Sequence, residues 1–190
     1  MIKQTYIFLA LSVAALTLPA NAAVISLSVL NTPTVGSTFS VAVVATNVFS
    51  APHVGDALAA YGFDVFVTGG SVTFLSSTAG SLFTDISASF APGSPQVAGI
   101  ATTGFLAAGD FVEPLRLATL VFRANTTGVA NISLGTNLSD LNQGLIYLGS
   151  TDAISASAAV NPVSAPVPEP GTLVLTALAG AVLIFVRTRP

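Results

Sequence analysis

LRLATLVFRANTTGVANISLG, Leu115–Gly135, is the stretch whose reading decides the fold. Its first half, Leu115 to Phe122, is dense in branched and aromatic apolar residues, which suits a pleated strand. In its second half Ala130, Ile132 and Leu134 alternate with Asn131 and Ser133, leaving one face to bury and one to wet. Asn125-Thr126-Thr127-Gly128 between them is turn-forming. LATLVF is apolar on both faces and predicts a central strand covered on both sides.

The same pattern recurs in both directions. VISLSVL, TFSVAVVAT, YGFDVFV, VTFLS, QVAGIAT, GLIYLG and AISASAAV are runs of strand length separated by Gly, Pro, Asn or Asp. Phe39, Val41 and Val43 alternate with Ser40 and Ala42, and no strong amphipathic helix interrupts the series. About nine such strands predict an all-β jelly-roll sandwich. AISASAAV carries little bulk and belongs at an edge, leading through NPVSAPVP into a Pro-rich stalk. The sandwich is assigned to residues 23–160 and the linker to 161–167. Phe122 is expected in the core.

The body to Ala165 holds two arginines, Arg116 and Arg123, against seven carboxylates, a net charge of −5. That balance excludes a nucleic-acid footprint, which needs clustered Lys and Arg. The chain has no cysteine, so its fold relies on burial without disulfides.

Candidate chemistry is sparse. Nucleophilic hydrolysis needs a base held beside a hydroxyl or thiol, and the chain's one imidazole, His53, lies in SAPHVGD with Asp56 nearby. Pro and Gly around it predict a solvent-exposed loop residue. Asp110 and Glu113 in GDFVEP could pair for glycoside cleavage or lend oxygens to a Ca²⁺ ion, and their spacing does not choose. Gly69-Gly70 reads as a turn, with no phosphate-loop lysine after it. A sugar-stacking platform would have to come from Tyr61 or Tyr147, since the chain has no Trp. No catalytic residue, metal ligand set or cofactor is assigned; a non-enzyme is expected.

The two ends read as addresses. MIKQTYIFLALSVAALTLPANA has Lys3, an apolar run from Tyr6 to Leu18, and Ala20 and Ala22 around Asn21, the form of a signal peptide cleaved after Ala22. At the other end Thr172 to Val186 is uncharged, and as a helix from Gly171 it would be roughly 24 Å long, slightly short of a bilayer core of about 30 Å. Arg187 and Arg189 would hold that terminus on the cytoplasmic side.

Val167-Pro168-Glu169-Pro170-Gly171, an apolar helix and an arginine-bearing end resemble, in that order, the PEP-CTERM sorting signal of Gram-negative bacteria that make extracellular polysaccharide. The resemblance implies an exosortase that cuts near Pro168-Glu169-Pro170. The body is similar to cohesin domains and their relatives among carbohydrate-binding modules. The likeness rests on the Val35-Gly36 turn before Phe39 and Val41, on Tyr61-Gly62-Phe63-Asp64, and on Ala118, Leu120 and Phe122 ahead of Gly128 and Ile132. The expectation is an exported structural or adhesive protein, in the inner membrane as a precursor and then at the cell surface or in a polysaccharide matrix. The alternative is a secreted carbohydrate-binding module or a cohesin-type protein-binding module.

Overall fold

Alternation of inward and outward side chains folds the chain into eleven strands in a computed structural model, which describes residues 23–90 and 95–165. In order these are β1 (Val24–Val29), β2 (Thr38–Thr46), β3 (Leu58–Thr68), β4 (Val72–Ala79), β5 (Phe83–Asp85), β6 (Val97–Ala101), β7 (Leu115–Ala124), β8 (Ala130–Gly135), β9 (Gly144–Tyr147), β10 (Thr151–Asp152) and β11 (Ala156–Val160). Among the described residues, one 3-10 turn at Ser87–Ser89 is the sole helical element.

The strands form an all-β sandwich. One sheet has the order β1-β2-β7-β4; the other runs β10-β9-β3-β6-β5, with β8 also on β3 and β11 on β8. β8 and β9 occupy successive stretches of the long β3, Asp64–Thr68 and Leu58–Gly62, with the loop 136–143 leaving the ladder between them. β11 and β10 flank β8 and β9 in the same way. Two of the eleven strands thus continue ladder positions already begun, which leaves nine positions in the sandwich. The chain between β7 and β8 crosses from one sheet to the other.

The core lies between the sheets. Phe39, Val41, Val43, Leu120 and Phe122 meet Tyr61, Phe63, Ile132 and Leu145, and all are buried. Phe122 stacks on Phe39 at 5.5 Å and tilts against Phe74 at the same distance. Burying one such ring stabilises the fold by about 2–3 kcal/mol.

β7 is central, between β2 and β4, but it is not covered on both sides. Arg116 and Arg123 are exposed on its outer face and Thr119 and Val121 are half-buried. The double-sided apolar pattern has a local cause: Val43 faces Ala118 and Val44 faces Arg116, so Leu117 is an extra, bulged residue. The bulge re-phases the strand and lets Leu117 and Ala118 both point inward.

β11 is an edge strand, as its small side chains predict. Beyond it the chain stays attached as far as Val163, whose N–H donates to the Pro33 carbonyl and whose carbonyl accepts from the Val35 N–H, each at 2.9 Å. This short parallel clasp at Thr34 and Val163 anchors the first part of the expected linker. The turn from β3 to β4 needs glycine at residue 69: φ is +97°, and a Cβ there would stand 2.5 Å from the Val129 carbonyl.

Candidate functional site

Residues 47–57, joining β2 to β3, fold inward through successive turns: Ser50 N–H to the Asn47 carbonyl, His53 N–H to Ser50, and Asp56 N–H to His53. They carry the His53 ring into the protein, where it is 3% exposed. The expectation of a solvent-exposed loop histidine is therefore corrected. Two contacts replace water: the ring lies flat on Tyr147, 3.8 Å away and 4° from parallel, and both nitrogens meet carboxylates. Nε2 is 2.9 Å from Asp152 Oδ2, and Nδ1 is 3.3 Å from Asp56 Oδ2.

Ser150 Oγ also lies 3.4 Å from Nδ1, which brings a Ser, a His and two Asp together. The arrangement suits fastening better than nucleophilic attack. Ser150 shares Nδ1 with the Asp56 carboxylate, and Asp152 holds Nε2, so the ring is gripped at both edges by groups from its own loop and from β10.

The same cluster ties three connections together. The Tyr147 hydroxyl donates to the Val48 carbonyl at 2.8 Å, and the Val48 N–H donates to Glu113 Oε1 at 3.0 Å. Phe49 packs between Tyr147 and Phe111, with ring centroids 6.2 and 5.9 Å away. Burial pushes the Tyr147 phenol pKa well above its usual range, with the charges of Asp152 and Asp56 adding to the effect.

Asp110 and Glu113 are each engaged separately. Asp110 Oδ2 accepts from the Ala107 N–H at 2.7 Å, closing its own turn, whereas Glu113 reaches back to Val48. Among the described residues no group of three or more His, Cys, Asp or Glu side chains is placed to hold a metal ion.

Asp64 makes a second fastening. Its Oδ1 accepts from the Gln96 N–H at 3.0 Å and its Oδ2 from Gln143 Nε2 at 3.1 Å, while Gln143 Oε1 accepts from the Asn137 N–H at 2.5 Å. Gln143 is buried, so the loop 136–143 is held against β3. The approach is close: a Cβ on Gly62 would lie 2.0 Å from the Asn142 carbonyl oxygen.

Neither tyrosine is available to a sugar. Tyr147 is under His53, and Tyr61 is buried edge-on to Phe83, its hydroxyl without a hydrogen-bond partner among the described residues. Burial also raises the Tyr61 phenol pKa far above the usual range, with Asp85 contributing. Exposed rings belong instead to Phe66 and Phe105. Asp152, Ser150, Tyr147 and Gln143 had no local signal marking them as partners of His53 or Asp64. The processing and anchoring residues Ala20, Ala22, Pro168, Glu169, Pro170, Arg187 and Arg189 lie outside the described residues.

No protein-family model matches the chain, and no curated protein does. Among solved structures it is similar to a cohesin module of a family 33 glycoside hydrolase from Clostridium perfringens ATCC13124. That likeness has 10% sequence identity and a TM-score of 0.47, over 76% of this chain and 97% of that one.

Proposed function

We propose that the chain is an exported, non-catalytic structural or adhesive module of the cell surface or extracellular matrix, processed by an exosortase at Pro168-Glu169-Pro170 and associated with extracellular polysaccharide. The observation that carries the non-catalytic part is the engagement of His53, whose two nitrogens face Asp56 of its own loop and Asp152 of β10 and so fasten that loop to the sheet. The export and processing parts rest on the order of segments in the sequence: an A-x-A site at Ala20 and Ala22, then the body, then Pro-Glu-Pro, an apolar run and Arg187 and Arg189. Mass spectrometry of the mature protein from its host tests this reading. A C-terminus near Pro170 supports it, and an intact TLVLTALAGAVLIFVRTRP on most of the exported protein overturns processing.

The second reading is a secreted carbohydrate-binding or protein-binding module. The half-exposed Phe66 ring, projecting outward from β3 beside Gly135, favours it, because an aromatic on a sheet face offers a sugar ring or an apolar side chain a flat contact.

A further inference from the structure

The outer face of the β1-β2-β7-β4 sheet is unlike the rest of the protein. The ladder registers place one row across it as Ser28, Ala42, Thr119 and Thr78, and the next as Ser40, Val121 and Ser76. The flanking rows each centre on an arginine: Ser26, Val44 and Arg116 on one side, Thr38, Arg123 and Thr73 on the other. Each row thus carries at least one hydroxyl, on strands about 4.8 Å apart and at row steps of about 6.8 Å, with Ala42, Val44 and Val121 between them. Three row steps separate the two arginines, roughly 20 Å along the same strand.

Charge is segregated in the same pattern. Arg116 and Arg123 are the body's two basic side chains, and both are exposed on this face. Neither has a carboxylate within ion-pair distance among the described residues. All seven carboxylates of the body lie on the opposite sheet or in loops: Asp64, Asp85 and Asp152 on β3, β5 and β10, the other four in connections. Two guanidinium groups without a carboxylate partner among the described residues, on a hydroxyl-bearing face free of acids, complement a polymer with spaced carboxylates and many hydroxyls. A protein partner suits the face less well, because protein interfaces favour aromatics and are depleted in Ser, and the exposed apolar side chains here are the aliphatic Val24 and Leu75, both on outer strands away from the arginines.

We propose that this face binds a linear acidic polysaccharide, with Arg116 and Arg123 each pairing bidentately with a uronate carboxylate and the Ser and Thr rows bonding sugar hydroxyls between them. The inference rests on the polysaccharide association proposed above and names its site and ligand class. Between the arginines lie the half-buried Thr119 and Val121 of β7, with Ala42 buried beside them, so a chain lying along β7 would run from one guanidinium to the other.

Interferometry on full-length chain in non-ionic detergent, against tips carrying polygalacturonate or neutral dextran, tests it. Wild type should bind polygalacturonate, weaken as salt rises, and ignore dextran. Arg116→Gln with Arg123→Gln should weaken binding by about tenfold or more, and the paired Lys variant by less, since it keeps charge and loses the fork. The Lys pair also keeps the test sound should the Gln pair shift the melting curve. Binding that survives both variants, or that is equal on dextran, overturns this face and leaves polysaccharide association standing. No binding to either polymer overturns the inference and removes support from that association as well. An arginine-dependent dimer in sedimentation, with neither polymer bound, would make the face a protein interface and overturn the proposal.

Discussion

The His53 ring lies parallel to that of Tyr147, 3.8 Å away, with Asp152 on one ring nitrogen and Asp56 on the other. His53→Ala removes the stack and leaves both carboxylates without their partner. Because those carboxylates are partly solvated, the cost is about 2 kcal/mol, below that of breaking a fully buried pair. Urea unfolding should show a lower midpoint at unchanged slope, and an equal midpoint would mean that the cluster fastens nothing.

The two buried tyrosines should respond oppositely to loss of the hydroxyl. Tyr147→Phe removes the bond to the Val48 carbonyl and should cost about 1–2 kcal/mol. Tyr61→Phe removes an oxygen with no partner among the described residues and should be neutral or stabilise by up to about 1 kcal/mol. Thermal melts of the pair decide it; equal losses would show that Tyr61 is satisfied in solution.

Both phenols have pKa values raised by burial, so the folded protein holds these protons more tightly than the unfolded chain. Their contribution to stability is complete below the ordinary tyrosine value of about 10 and is lost as pH rises beyond it. Base titration should show the phenolate absorbance of these two residues appearing together with loss of the β-sheet dichroism. Their ionisation with the sheet signal intact would contradict their burial.

Phe122→Ala should cost about 3–5 kcal/mol, because the ring is buried between Phe39 and Phe74 and its neighbours cannot collapse far within the sheet. An unchanged melting temperature would place it outside the core.

Gly62→Ala forces the loop 136–143 off β3, since the new methyl would overlap the Asn142 carbonyl. Faster proteolysis within that loop, at a smaller loss of global stability than Phe122→Ala causes, is the expected result. A cleavage rate equal to wild type would show that the loop does not lie over β3.

Much of the sandwich was legible because its strands announce themselves locally. β2 and β7 begin and end where the alternating runs TFSVAVVAT and LRLATLVFRA do. β5 and β10 were missed because Phe83–Asp85 and Thr151–Asp152 are too short and polar to show a period; neighbouring strands create them. The covering of β7 was misread because a bulge at Leu117 is invisible without the register. His53 looked exposed for a similar reason: Pro and Gly describe its loop truthfully, but Tyr147 and Asp152, which bury it, lie on distant strands.

The clasp between Val163 and Pro33–Val35 also sets the path of mechanical force. A pull on the chain beyond Ala165 reaches this parallel pair first, before it can peel β11 from β8. From Val35 the tension passes to Gly36, whose N–H is bonded to the Ala124 carbonyl at the end of β7, and so enters the four-stranded sheet. A domain tethered by its C-terminal side while gripped on the Arg116 and Arg123 face would carry the strain through one sheet alone. The His53 and Asp64 fastenings would stay slack under tension.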